Sequence, residues 1–321
     1  MKKILTFILL FSLLFPCLAS CRKTDADGEN GVFYSFTDST GKTVSLPSRP
    51  ERVAVLFSSY AEIWTLAGGK VSVSVGESVE RGFADGDTVL VDESAGHSQI
   101  DLEALIASRP DLVIGSADYE CQLSACELCA KAGIPSAVFR VESLSDYLRV
   151  LRIMCDITGS AAAYERYGAS VAANAEKTIS SFVTSLGEKE IKILFIRAGS
   201  SARSTKAKNA ESNFVCAMLD ELGTQNIADT SSPLLDNLSL EYIVSEQPDY
   251  IFISTMGNEN AAREYITELF ESDAWRELDA VKRGAYAFLP KDMFHYKPNA
   301  RWDAAYAYLA KLLETELTRE K

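Results

Sequence analysis

The stretch DLEALIASRPDLVIG at residues 101–115 returns in outline as SLEYIVSEQPDYIFI at residues 239–253. Each copy opens on a small polar residue able to cap a helix, Asp101 or Ser239, followed by Leu-Glu and one apolar helical turn. Each then passes through Pro-Asp into an apolar run, so both read as helix, turn and strand. Both also place a glutamate seven residues before the proline, Glu103 before Pro110 and Glu241 before Pro248. A chain that spells this unit twice is committed to two α/β bodies of related layout. The strands explain the apolar runs; they do not explain the glutamates.

The surrounding sequence fills in both bodies. FYSF, DSTG and KTVSL read as a hairpin over residues 33–46. RVAVLF (52–57), VSVSVG, TVLVDE and IPSAVFR read as strands, with helices at SSYAEIWTLAGG and across residues 119–132. Residues 160–186 differ, with Tyr164, Tyr167, Val171, Ala175, Ile179, Phe182 and Leu186 recurring at helical steps and Gly187 as the stop. That helix would extend about 40 Å. A second α/β series follows, from IKILFIR (191–197) through a helix around 211–222 and the repeated unit to GAYAFL (284–289). A last amphipathic helix covers 300–316. Apolar strands alternating with helices point to parallel sheets covered on both faces.

The start of the chain, MKKILTFILLFSLLFPCLASC, has the layout of a secretory signal: Lys2 and Lys3, a short apolar run and a small-residue exit. LASC resembles the bacterial lipobox, which implies cleavage before Cys21 and attachment of lipid to its thiol. RKTDADGEN (22–30) is polar and without periodicity, as suits a tether. The formal charge is −13 and becomes more negative once Lys2 and Lys3 are removed, which excludes a general nucleic-acid-binding surface. Of seven cysteines, Cys121, Cys126, Cys129, Cys155 and Cys216 would remain as an odd set. Cys126 and Cys129 form a C-x-x-C with no second pair, inside a helical pattern, and read as buried free thiols.

TDSTGKTVSLPSRPERVAVL, SSYAEIWTLAGG, IDLEALIASRPDLVIG, AGIPSAVFR, LGTQNIAD, LSLEYIVSEQPDYIFIS and WRELDAVKRGAYAFL occur in this order after the lipobox. In that order they resemble the solute-binding lipoproteins of ABC importers for iron–siderophores, haem and cobalamin, over nearly the whole mature chain. The resemblance implies an α/β fold of two Rossmann-like lobes with mostly parallel sheets, joined by one long helix, with the ligand in the cleft between them. It divides the chain into a signal (1–20), a tether (21–32), an N-terminal lobe (33–158), a connecting helix (159–187) and a C-terminal lobe (188–321). It also implies that Glu103 and Glu241 pair with arginines of a membrane permease, which works with its own ATPase. The location implied is extracytoplasmic, anchored through the lipid on Cys21. A first-turn glutamate also favours the helix dipole by about 0.3–1 kcal/mol on its own.

Ligand groups are expected in loops at the carboxyl ends of the strands. The candidates are Ser58, Ser59, Tyr60, His97, Ser98 and Tyr119 in the first lobe. In the second they are Arg197, Arg203, Lys208, Met256, His295 and Tyr296. RAGSSARSTKAK (197–208) carries Arg197, Arg203, Lys206 and Lys208 without an acid, a local field that favours an anionic iron chelate. The chain has only two histidines, His97 and His295, in loops of opposite lobes, which makes them candidate axial ligands of a bound iron complex. Haem and cobalamin remain open as cargo, and no resident cofactor is expected. A stand-alone surface receptor without a transporter is one other reading, and a surface-anchored enzyme using His97 or His295 as a base is another. No Gly-x-Ser-x-Gly, His-Glu-x-x-His or Gly-rich phosphate loop supports it.

Overall fold

Strand residues that are apolar on both faces need cover on both faces, and the topology supplies it. The structure is a computed structural model that describes residues 31–92, 99–229, 234–235 and 238–319. Cys21, His97 and Ser98 lie outside the described residues. A hairpin of β1 (Tyr34–Thr37) and β2 (Thr43–Leu46) comes first, with buried and exposed positions alternating. The first lobe then runs β3 (Val53–Val55), α1 (Ser58–Leu66), β4 (Val71–Ser74), α2 (Gly76–Glu80) and β5 (Val89–Leu90). It continues with α3 (Leu102–Ala107), β6 (Leu112–Ser116), α4 (Glu120–Lys131), β7 (Ser136–Phe139) and α5 (Leu144–Thr158). The five strands form one parallel sheet in the order β5-β4-β3-β6-β7. Val53, Val55, Leu112, Ile114 and Phe139 face the large core. Their neighbours Ala54, Leu56, Val113 and Val138 face a second apolar cluster on the other side.

α6 (Ala161–Tyr164), a π-turn at Glu165–Ala169 and α7 (Ser170–Leu186) form the connecting rod. The periodicity predicts an unbroken α-helix here, and the structure differs by that one widened turn. Two contacts account for it. The Tyr147 hydroxyl, from buried α5, donates to the Tyr167 carbonyl at 2.8 Å, and the Ser170 hydroxyl donates to the Glu165 carbonyl at 2.8 Å. Gly168 suits this point, since a Cβ would lie 3.1 Å from the Tyr164 ring and 3.3 Å from Leu151, a tight fit that these side chains would have to yield to.

The second lobe comprises β8 (Lys192–Ala198), β9 (Lys206–Ala207), α8 (Phe214–Glu221), β10 (Gln225–Asn226), α9 (Leu240–Glu246) and β11 (Tyr250–Thr255). It ends with α10 (Glu259–Glu271), α11 (Asp279–Arg283), β12 (Tyr286–Phe288), α12 (Lys291–Phe294) and α13 (Trp302–Arg319). Its sheet runs β10-β8-β11-β12 in parallel, with β9 antiparallel on β8. α13 lies along the rod, where Asn174 donates to Asp303 at 3.0 Å.

The duplicated unit is now explicable residue by residue. The prolines stop α3 and α9, and the residues before them, Arg109 and Gln247, take left-handed conformations with φ of 50° and 46°. The following aspartates pin the start of the neighbouring strand. Asp111 accepts from the Glu51 and Arg52 amides at 2.8 and 3.0 Å, and Asp249 accepts from the Lys192 amide at 2.8 Å. Pro-Asp thus ends a helix and sets the register of two strands. Among the described residues, no helix is long and apolar enough to cross a membrane.

Tyr147→Phe removes the phenol that satisfies Tyr167 at the π-turn. Urea melts are expected to show a loss of about 1–2 kcal/mol, the cost of an unpaired part-buried carbonyl.

Candidate functional site

In both sheets the carboxyl ends of the strands point towards the gap between the lobes, and the loops there enclose a cavity of about 310 Å³. Phe57 follows β3, Glu77 lies in α2 just after β4, Tyr119 follows β6 and Glu142 follows β7. From the other side come Arg197 at the end of β8, Ser254 in β11, Asn213 and Phe214 at the start of α8, and Phe294 to Lys297 after β12. Rings form much of the wall. Phe57 packs on Tyr119 with centroids 5.4 Å apart, and His295 meets Tyr296 edge-on at 5.0 Å.

Most charges in the wall are matched. Asp118 accepts from Arg140 at 2.9 Å, Glu142 from Lys297 of the opposite lobe at 2.6 Å, and Glu77 from the Ser58 hydroxyl. Arg197 has no side-chain hydrogen bond or ion pair among the described residues, although it is half-buried. Its field reaches Tyr119 and His295. Burial pushes the Tyr119 phenol up, and Arg197 acts against that shift. Burial, reinforced by Lys291 and Arg197, lowers His295 to about 4. The imidazole is therefore uncharged at neutral pH, with a lone pair available to a metal.

Several residues expected at the ligand are placed elsewhere. Tyr60 is fully buried, its hydroxyl donating to the Phe139 carbonyl at 2.9 Å, so it props Phe57 from behind rather than facing the cleft. Ser58 and Ser59 are also fully buried, and their hydroxyls accept from Arg81 at 2.8 and 3.2 Å. The reason is local: α1 begins at Ser58, and its first turn is packed into the lobe. Arg203 is exposed on a short 3-10 turn, and Lys208 and Met256 are half-buried away from the cavity wall. Tyr119, Arg197, His295 and Tyr296 do line it. His97 and Ser98, expected beside them, lie outside the described residues.

Glu77, Glu142, Asn213 and Phe214 share the wall without having been singled out in the sequence, and Lys297 joins them from the loop that carries His295. Glu142 was within reach, since it follows a strand by the same rule that selected the others. Asn213 and Phe214 carry no such signal.

A profile of the family described as Periplasmic binding protein matches residues 53–293. The chain belongs to that family. Solved structures agree in fold with this periplasmic binding protein. The vitamin B12 binding protein BtuF of Vibrio cholerae has a TM-score of 0.68 at 17% identity, over 84% of this chain and 99% of its own. The haem-binding protein RhuT from Roseiflexus sp. RS-1 gives 0.66 at 18% identity, over 83% and 98%. A periplasmic solute binding protein from Veillonella parvula gives 0.66 at 19% identity, over 87% and 85%. Identities this low establish a common fold and no more. No curated protein matches the sequence.

The His295 environment has a measurable consequence. Its imidazole is expected to titrate near pH 4 by NMR. Because the unfolded chain takes up this proton near pH 6.5, the protein loses stability as pH falls from about 6.5 towards 4. His295→Gln should flatten that part of the stability profile; an unchanged slope would mean the imidazole is not shielded.

Proposed function

We propose that this periplasmic binding protein is anchored outside the cytoplasm through Cys21, captures an anionic iron chelate such as a ferric siderophore, and delivers it to an ABC permease. The observation that carries the reading is Arg197: a half-buried cation with no side-chain partner among the described residues, facing an aromatic-walled cavity in an otherwise acidic protein. A guanidinium left unneutralised in such a place is suited to a carboxylate or other chelating anion. The cavity volume falls within the roughly 300–1,000 Å³ typical of small-molecule sites. The solved relatives named above are binding proteins, which supports capture without chemistry.

Haem is the second reading, favoured by one specific arrangement. The uncharged His295 imidazole and the Tyr119 phenol both line the cavity, and both lie in the field of Arg197. These are residue types that bind haem iron, with a cation at hand for a propionate.

Delivery requires a second surface. Glu103 and Glu241 are exposed in the first turns of α3 and α9, at matched positions of the two lobes. Three residues on, each helix also exposes an aliphatic side chain, Ile106 at 45% and Val244 at 37%. Two carboxylates fixed on separate lobes, each beside an apolar contact, would define both position and orientation on a permease.

Two experiments test this function. The chain from residue 22 onward is titrated with ferric citrate, hemin and cobalamin. Trp302, which packs on the cleft residue Phe214 at 5.7 Å, should report binding through its fluorescence. Arg197→Ala is expected to weaken ferric citrate binding about tenfold or more, and unchanged affinity would remove the anionic-chelate reading. With hemin, a Soret shift that survives His295→Ala and Tyr119→Phe together would remove those residues as iron ligands. For docking, Glu103→Arg combined with Glu241→Arg should abolish cellular uptake while leaving chelate affinity as it was. Uptake at the normal rate would show that these carboxylates do not dock.

A further inference from the structure

The segment between α12 and α13 belongs to the second lobe but is fastened to the first. It is rooted at one end by Phe294, buried, whose carbonyl accepts from Ser254 of β11 at 3.2 Å. At the other end Trp302 is fully buried in its own lobe. Between these roots, His295, Tyr296 and Lys297 present one side to the cavity. The rest of the segment reaches across the gap.

What it reaches is a buried ion pair. Glu62 and Arg81 of the first lobe are each 11% exposed, with 3.3 Å between Arg81 Nη2 and Glu62 Oε2. Asn299 Nδ2 donates to that same Glu62 oxygen at 2.9 Å and to the Ser59 carbonyl at 2.9 Å. The Tyr296 ring covers the Arg81 guanidinium at 4.0 Å. Lys297 adds the 2.6 Å bond to Glu142 at the rim.

The backbone is strained to make these contacts. Asn299 is fully buried with φ of 51°, a left-handed conformation, and its Oδ1 has no hydrogen-bond partner among the described residues. A left-handed residue with an unsatisfied oxygen persists only where the surroundings over-determine it. Here the determining contacts are the two bonds from Nδ2 into the opposite lobe. The ion pair in turn is costly to break, since removing one partner leaves a buried charge uncompensated.

We infer that residues 295–301 form a clasp that holds the lobes together over the cleft without ligand, with the Glu62–Arg81 pair as its seat and Asn299 as its catch. Glu62, Arg81 and Asn299 are positioning residues: none lines the cavity, but they fix the wall that His295 and Tyr296 supply. By holding the lobes in the arrangement that encloses a ligand, the clasp pre-organises the site. The claim about affinity rests on the cavity being the ligand site proposed above; the claim about the lobes does not.

The test measures the lobes directly. Nitroxides attached through non-canonical residues at Glu127 on α4 and Glu264 on α10 report the inter-lobe distance by pulsed electron resonance. The ligand-free protein should give one narrow distribution. Asn299→Asp keeps the side-chain shape and tolerates the left-handed backbone, but places an acceptor against Glu62 and the Ser59 carbonyl. It is expected to give a broader distribution at longer distance, and one superimposable on the parent would overturn the clasp. Should that variant fail to fold, Lys297→Met carries the same expectation and the same refutation. Hemin and ferric citrate are then titrated against both proteins. If the closed fraction drops to about one tenth, apparent affinity falls about tenfold. Failure of both probes to bind the parent protein would count against the proposed cargo, whereas a distance unaffected by Asn299→Asp and Lys297→Met would count against the clasp alone.

Discussion

One buried stripe sets the relation between the two lobes. Val171, Ala175, Phe182 and Leu186 recur along the connecting rod and are buried in a core cluster that draws residues from both lobes. The rod is therefore a structural member packed along its length, with α5 on one part and α13 on another. Large separations of the lobes would expose this apolar seam to water, at about 25 cal/mol for each Å² uncovered. Wide swings are consequently disfavoured, which leaves smaller movements such as release of the segment at residues 295–301.

Within that frame, charge decides what the cleft favours. The protein is acidic as a whole, yet the wall acids are occupied by Arg140, Lys297 and the Ser58 hydroxyl. Arg197 is left to act outward, and together with Lys291 it helps keep His295 uncharged. One lobe thus brings Phe57 and Tyr119, and the other brings the cation and the imidazole. A flat or ring-bearing anion would meet complementary groups on both sides.

Much of the architecture was legible because it depends on local patterns. The duplicated helix–turn–strand unit stood out since proline, aspartate and apolar runs each have a short-range reason: helix termination, strand pinning and two-sided burial. The same grammar pointed to Arg197, Tyr119 and His295, which line the cavity. It also named Ser58, Ser59 and Tyr60, which form the first turn of α1 and pack inward. The π-turn escaped notice because periodicity cannot distinguish a regular helix from one widened by a single residue. Glu62, Arg81 and Asn299 were out of reach altogether. Their association joins residues far apart in the chain, and nothing about a glutamate, an arginine or an asparagine in isolation indicates it.

The widened turn at Glu165–Ala169 also fixes an angle. An α-helix advances about 100° per residue, so a surplus residue inside the rod would change the phase of everything beyond it unless a wider turn took it up. Were the same residues wound as regular α-helix, the second lobe would swing by about that angle around the axis. Arg197 and His295 would then look away from Tyr119, and the two half-sites would no longer face each other. Gly168, where a Cβ would come within 3.1 Å of the Tyr164 ring, eases the packing of this turn and so helps to keep the two lobes rotationally in step.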